Sequence, residues 1–509
     1  MKKTFLALIC FFVFVSASFA QSDSIPRFIK DSLDAYITKA MSDWHLPGLS
    51  ICIVKNDKVV LMKGYGVKDI NTNEKVDENT LFMIGSNTKA FTATALATLD
   101  AEGKLSLDDN VTKWIPQFKL DNKAAGEQAI IRDLLCHRLG FKTFQGDFTY
   151  WTSDLSRTQV IEKMSHVKAL YPFRTRYGYT NAAFLTAGQI IPAVTGKQWE
   201  DYIKEKIFDP LGMNRTIALS KDFPAASNKA EPYTMVDGKL MKIPYCSIDN
   251  LAPAGSISSS VNDMSKWVML QLGFGKYNGK QVIPEKAISS IRFPHTIVGY
   301  GSTAFNRNLY TLYGLGFQLQ DYESRRVISH TGGVNGFVTS VTLVPAEKLG
   351  IVILTNNDHN GLFEALKWDV VDAYLGLPSR NYSDKYLGFQ NTQDSADAKT
   401  ERKLKDSVAM KLNPELPLNS YAGNYTNDLY GNMKVVVENN ELRMRFEHHL
   451  NMYASLGSLG GNRFYAVFND PEMGTAVFPF KTDNGKVTGV TVKVADFVEY
   501  TPYEFTKTR

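Results

Sequence analysis

The chain has 509 residues, of which 44% are hydrophobic, 12% aromatic and 21% charged. These proportions belong to a globular protein with real cores and exclude disordered, collagen-like and coiled-coil classes. Lysine plus arginine (57) outweigh aspartate plus glutamate (52) by a formal +5, spread along the chain without a basic stripe, so nucleic acid is not an expected partner. At about 150 residues per domain, the length predicts roughly two to four domains.

Lys2 and Lys3 precede an apolar run from Phe5 to Val15, which ends in the small residues of Ser16-Ala17-Ser18-Phe19-Ala20. This is the pattern of a secretory signal over residues 1–20. The run is short for a bilayer span, and no later stretch offers about 18 uninterrupted apolar residues. The expectation is an exported protein, periplasmic or secreted, with no stable membrane span after cleavage. Cys10 leaves with the signal, and Cys52, Cys136 and Cys246 cannot all pair within one chain, so no disulfide framework is expected. Cys52 sits in the apolar stretch Leu49–Val54 and reads as a buried structural thiol. With no CxxC and no clustered Cys/His spacing, neither a structural zinc site nor any other metal or cofactor is called for.

Leu49–Lys55, Asn56-Asp57 and Val59–Tyr65 read as a hairpin of an antiparallel sheet. From Ser86 the pattern turns helical, with Ala90, Phe91, Ala93, Thr94, Leu96 and Ala97 crowding one side and Gly103 as a stop. Residues 105–290 read mostly as helices broken by loops, among them Ile131–His137, Asn181–Val194 and Asp263–Leu272. Strand character returns at Gly316–Gln320, Arg326–Ser329, Phe337–Val344 and Gly350–Leu354. Strands flanking a helical middle predict one α+β domain over residues 21–378, its sheet completed by its own C-terminal part. Polar residues 379–417 read as a partly helical linker. Residues 418–509 alternate short strands with turns such as Asn439-Asn440 and Asp483-Asn484-Gly485, predicting a small all-β barrel or sandwich.

Three motifs can carry chemistry. Ser86-Asn87-Thr88-Lys89 opens the apolar helix, so Ser86 and Lys89 project from one face within hydrogen-bond reach. A partly buried lysine with a lowered pKa can take the proton that keeps a serine hydroxyl unreactive. Tyr179-Thr180-Asn181 offers a phenol to relay a proton and an amide to orient both a lysine and a substrate. His330-Thr331-Gly332-Gly333 ends a strand in paired glycines, where a carbonyl can approach closely and a backbone N–H can meet an oxyanion. Each has a look-alike, in Ser165–Lys168, Tyr425–Asn427 and His359–Gly361.

In that order the motifs resemble the serine β-lactamase and penicillin-binding-protein family, in the branch related to class C β-lactamases, esterases and D-aminopeptidases. Flanking stretches agree, including Ile131–His137, Pro253-Ala254-Gly255, Tyr313–Phe317 and Gly333–Phe337, and the likeness runs from Pro47 to Leu375. The resemblance implies a β-lactamase/transpeptidase-like antiparallel sheet with a helical subdomain. It implies Ser86 as the acylated nucleophile, Lys89 as its proton acceptor and Tyr179 as the acid/base for leaving group and water. Asn181 would position Lys89 and substrate, and the N–H groups of Ser86 and Gly333 would form the oxyanion hole, with His330, Thr331 and Gly332 beside it.

Many relatives carry lysine where this chain has His330. An unperturbed imidazole is mostly neutral at pH 7, so substrate carboxylates lose an anchor, one that acid would restore, and esters and neutral-ended amides gain. His137 reads as a structural residue favoured in the last turn of a helix. His448 and His449, read on a strand, would point to opposite faces and not share a metal. The expectation is an exported serine hydrolase without metal or cofactor, forming an acyl-enzyme on ester or amide substrates, peptides with D-residues among them. The partner is then a small molecule or peptide, cell-wall-derived ones included. The alternatives are a class C-like β-lactamase or D,D-carboxypeptidase, and a non-catalytic ligand-binding protein keeping the fold.

Overall fold

The computed structural model describes residues 25–301 and 309–508, so the expected signal at 1–20 lies outside the described residues. Eight strands make the main sheet: β1 (Gly48–Lys55), β2 (Lys58–Gly66), β3 (Thr296–Tyr300), β4 (Tyr310–Tyr313), β5 (Gln318–Tyr322), β6 (Arg325–Val334), β7 (Phe337–Val344) and β8 (Leu349–Thr355). Their spatial order is β2-β1-β8-β7-β6-β5-β4-β3, and every neighbouring pair is antiparallel. Asn56 and Asp57 both take left-handed backbone (φ 52° and 59°), the geometry a two-residue hairpin needs to match strand twist. The exposed edge strand β3 and its neighbour β4 escaped the sequence reading. Ile297, Tyr300 and Tyr310 lie open to solvent, so neither strand shows the buried alternation that marks the others.

β1, β7 and β8 are buried along their whole length because both sheet faces are covered. Leu49, Ile51, Ile53, Ile351 and Ile353 pack on one face with helices α1 (Leu33–Asp43) and Leu362–Tyr374. Cys52, Val54, Val352 and Leu354 face the helical lobe on the other. Cys52, Cys136 and Cys246 are all buried and free.

The lobe is organised around α2 (Thr88–Ala101), which is buried on every side from Thr88 to Leu99, not on one side as its pattern suggests. Its threonines hid this by looking polar. Thr94 and Thr98 donate to the carbonyls of Ala90 and Thr94 (both 2.7 Å), while Thr92 donates to Pro253 O (2.7 Å) and accepts from the Trp199 indole (2.9 Å). With every hydroxyl engaged, burial costs little. A second long helix, α3 (Asn181–Thr195), crosses beside it.

The segment read as a partly helical linker is one continuous 28-residue helix, α4 (Tyr382–Ala409). It leads to a closed barrel of eight antiparallel strands: β9 (Gly423–Asn427), β10 (Gly431–Glu438), β11 (Glu441–Phe446), β12 (Tyr453–Ser458), β13 (Arg463–Phe468), β14 (Thr475–Asp483), β15 (Lys486–Val492) and β16 (Tyr503–Lys507). Closure between β9 and β16 removes the free edges that so short a sheet would expose. The look-alike Tyr425 is core here, its hydroxyl donating to Tyr421 O (2.6 Å). His448 and His449 lie in a turn after β11, not on a strand. His448 meets Asp154 (2.9 Å), and His449 stacks on Phe148 (ring centroids 4.6 Å apart), so both dock the barrel to the lobe. No helix among the described residues is long and apolar enough to cross a membrane.

Thr92→Val keeps volume but removes one buried donor and strands the Trp199 indole. It is expected to lower stability by about 2 kcal/mol, read as a shift in urea midpoint at unchanged slope.

Candidate active site

Ser86 lies in a 3₁₀ turn, Gly85–Asn87, between a two-residue strand (Phe82–Met83, paired with Ser258–Ser259) and α2. Side chains pin the turn from behind. The Asn87 amide donates to Ile84 O (3.2 Å) and Thr339 Oγ1 (2.9 Å), and Thr88 Oγ1 accepts from Ile257 N–H (3.1 Å). Two glycines let the turn lie against β6. A Cβ on Gly85, itself left-handed at φ 53°, would sit 2.7 Å from Gly333 N, and one on Gly332 would sit 1.9 Å from Ile84 O. β5 pairs with β6 only as far as Ser329, so the corresponding edge from His330 to Val334 has no strand partner among the described residues. The Ser86 turn and the Gly333 stretch thereby face one cleft.

Lys89 is fully buried one turn beyond Ser86. Its Nζ lies 3.0 Å from Ser86 Oγ, 2.7 Å from Asn181 Oδ1 and 2.8 Å from Ala254 O. Asn181 donates its own Nδ2 to Asp147 Oδ2 (2.6 Å), which turns the amide oxygen toward the lysine. Burial pulls the Lys89 amine down to about 7, against the opposing charge of Asp147. Burial pushes the Asp147 carboxyl up to about 7, partly offset by the Asn181 bond and the lysine charge. A neutral amine has two hydrogens and one lone pair. Asn181 Oδ1 and Ala254 O are pure acceptors and take both hydrogens, so the lone pair is left for the Ser86 hydroxyl. Once protonated, the ammonium finds three acceptors already in place. The arrangement can therefore take a hydroxyl proton and hold it.

Tyr179 is hydrogen-bonded to Ser86, and its ring lies 4.6 Å from Lys89 Nζ. Burial holds the phenol well above its ordinary pKa, so it stays protonated. Ser86, Lys89, Tyr179 and Asn181 are thus gathered at one point. The look-alike Ser165 instead caps its own turn, donating to Glu162 O (2.7 Å).

His137 keeps its expected structural role but by other means, and His330 differs from expectation. His137 follows the helix Ile131–Leu135 but is no terminal cation. It is fully buried with left-handed backbone (φ 57°), its pKa driven well below the ordinary value by burial and by Lys89. Nδ1 accepts from Thr180 N–H (3.0 Å), and the ring lies 4.3 Å from that of Tyr179, so it props the phenol from behind. His330, expected beside the substrate, is 5% exposed and turned inward. Its Nδ1 contacts Thr331 O (2.6 Å), a pure acceptor, so the hydrogen sits there and Nε2 accepts from the Tyr313 hydroxyl (2.9 Å). Burial, reinforced by Lys89, pulls its pKa to about 3, so the expected restoration of a carboxylate anchor in acid does not apply. Thr331 and Gly333, by contrast, are half-buried at the cleft.

Asp147, the Ala254 carbonyl and Tyr313 were missed as members of the site. Pro253-Ala254-Gly255 and Tyr313–Phe317 stood out only as flanking text, and nothing local marks Asp147. The segment carrying Asp147 is held by the barrel. Glu499 Oε1 accepts from Gly146 N–H (2.6 Å), and Oε2 accepts from Phe148 N–H (3.1 Å) and the Tyr430 hydroxyl (2.8 Å), with the Tyr503 hydroxyl also bonded. Burial raises this carboxyl to about 8 despite those donors. Among the described residues no group of three or more His, Cys, Asp or Glu side chains is placed to hold a metal ion.

Comparison with known proteins agrees with this architecture. A domain described only as of unknown function (DUF3471) matches residues 409–507, spanning the barrel. The unguisins hydrolase ungD of Aspergillus violaceofuscus is 27% identical over 446 residues, 82% of this chain and 78% of that protein. Protein flp of Staphylococcus aureus is 27% identical over 332 residues, 64% of this chain and 63% of its own. Among solved structures, the octameric penicillin-binding protein homologue from Pyrococcus abyssi superposes with a TM-score of 0.60 at 23% identity, covering 93% of this chain and 99% of that one. A D-stereospecific amidohydrolase from Streptomyces sp. superposes with a TM-score of 0.52 at 21% identity, covering 63% and 92%. These two share the fold. The Beta-lactamase family model matches residues 33–375, most of the chain, and the protein belongs to that family of serine hydrolases.

Proposed function

We propose that this protein is an acyl-transfer hydrolase of uncharged esters and amides, peptides with D-residues among them, with Ser86 as nucleophile and Lys89 as the base that activates it. One observation carries the reading: both hydrogens of a neutral Lys89 amine are claimed by Asn181 Oδ1 and Ala254 O, which aims the lone pair at Ser86 Oγ 3.0 Å away. Ser86 Oγ attacks the substrate carbonyl while its proton passes to Lys89. The N–H groups of Ser86 and Gly333 receive the oxyanion. The tetrahedral adduct collapses, the bond to the leaving group breaks, and Tyr179 passes it a proton that Lys89 replenishes. Water then attacks the ester formed at Ser86, losing its proton to the same Tyr179–Lys89 pair, and Ser86 Oγ leaves with a proton returned from Lys89, which restores the resting enzyme.

The preference for uncharged substrates rests on His330. Its imidazole is neutral and both ring nitrogens are occupied, so no cation stands there for a penicillin-type or C-terminal carboxylate. That weighs against the β-lactamase and D,D-carboxypeptidase alternatives. A buried amine tuned to about 7 beside a serine weighs against a merely binding role. Hydrolytic turnover also agrees with the name of the Aspergillus relative, an unguisins hydrolase. Export to the periplasm or medium is part of the same proposal, on the strength of Lys2, Lys3 and the apolar run that follows them.

Ser86→Ala is expected to abolish both turnover of an aryl ester and covalent labelling by a fluorophosphonate, a loss of several powers of ten; a variant that still labels contradicts the assignment. The pH profile tests the base. His137 and His330 stay neutral and Tyr179 stays protonated, so of the groups around Ser86 Lys89 and Asp147 titrate near neutrality, with Glu499, which holds the backbone beside Asp147, raised to about 8 behind them. Because only the deprotonated amine accepts the hydroxyl proton, kcat/KM should rise as pH passes through about 7. The Asp147 charge favours the ammonium, so Asp147→Asn should move that limb acidward by about one unit. A limb that stays put or moves the other way excludes Lys89 as the titrating base.

A further inference from the structure

The segment joining β15 to β16 leaves the barrel and enters the lobe beside the Ser86 cleft. A Cβ on Gly333 would lie 3.4 and 3.8 Å from Cε2 and Cζ of Phe497, so this ring covers the residue whose N–H faces the nucleophile turn. Trp151 backs the ring edge-on, at 6.0 Å between centroids, and is itself fixed by its indole N–H donating to Asn335 Oδ1 (3.0 Å). Two residues later Glu499 is buried on four donors, which pins the segment in place. Tyr500 stacks on Phe144 (5.5 Å), whose ring meets the edge of Tyr179 (5.6 Å) and whose N–H donates to Tyr179 O (2.9 Å). Phe497 at 39% and Tyr500 at 40% remain partly exposed, although neither site nor barrel core needs an exposed ring.

We infer that Phe497 is a specificity-determining residue of the catalytic cleft, contributed by the barrel, and that it selects substrates with an uncharged aromatic or bulky apolar acyl group. This rests on Ser86 being the nucleophile. A carbonyl whose oxygen lies between Ser86 N–H and Gly333 N–H carries its acyl substituent past Gly333, where the Phe497 ring is the nearest side chain offered by the barrel. An aryl group there gains ring–ring contact as well as apolar burial, while an acetyl group reaches neither. A carboxylate in the same place would trade water for an apolar ring. Tyr500, through Phe144, holds the opposite side of the site at Tyr179, so one short segment frames the reaction centre from both flanks.

The test compares p-nitrophenyl phenylacetate with p-nitrophenyl acetate on the full-length chain. Wild-type protein is first titrated with a small fluorophosphonate, and mass spectrometry of the labelled peptide checks the nucleophile independently of Phe497. The ratio of kcat/KM for phenylacetate over acetate should fall about tenfold in Phe497→Ala and less in Phe497→Leu, which keeps apolar bulk. Thermal unfolding of both variants separates lost contact from lost fold, and Leu serves where Ala unfolds. If Ser86 labels but both folded variants keep the ratio within about twofold, the Phe497 inference is overturned and the nucleophile stands. If wild-type protein neither labels at Ser86 nor turns over either ester, the nucleophile falls and this inference with it.

Discussion

Everything at the candidate active site depends on an amine kept away from water. Lys89 is sealed between α2, α3 and the Pro253–Gly255 turn, and the desolvation that lowers its pKa is a property of the whole lobe. Removing a lysine from solvent is expensive unless each hydrogen finds an acceptor. Here two carbonyl oxygens and one hydroxyl meet it, and each belongs to a different stretch of chain, at Asn181, Ala254 and Ser86. The burial of α2 on all sides is what makes those three stretches converge. Its engaged threonines remove the hydration that would otherwise leave one face open.

Outward from the amine, each layer orients the one inside it. Asp147 sets which end of the Asn181 amide faces Lys89, and Glu499 holds the backbone on either side of Asp147. His137 and Tyr313 act similarly on the other flank, one bracing Thr180 and the Tyr179 ring, the other occupying His330. The barrel is therefore built into the support of the site. Phe144, Phe148, Trp151 and Asp154 all contact it, through Tyr500, His449, Phe497 and His448 respectively.

Local patterns made much of the frame legible in advance. The β1–β2 hairpin, β7 and the β10–β11 turn at Asn439-Asn440 stand where alternation and turn residues put them. Ser86, Lys89, Tyr179 and Asn181 were visible because two are one helical turn apart and the others precede a strongly apolar helix. What stayed hidden was set by tertiary burial. His330 and His137 are the same residue type as an exposed titrating histidine, and it is chiefly the enclosing walls that keep them neutral in acid. Asp147 carries no local mark, since its partner Asn181 is far along the chain. The all-round burial of α2 was masked by its own hydroxyls, and the edge strand β3 and its neighbour β4 were lost for want of a buried face.

The strand order has a consequence for how the molecule comes to be. β1 lies between β2 and β8, so Leu49 pairs with Thr355 and Lys55 with Leu349. The hairpin emerges early with Leu49, Ile51 and Ile53 on one side and Cys52 and Val54 on the other, yet nothing made before residue 349 can cover its open edge. Contacts that distant delay folding and leave an unpaired, apolar edge exposed meanwhile. Newly made chains should accordingly be more prone to aggregate than the finished protein.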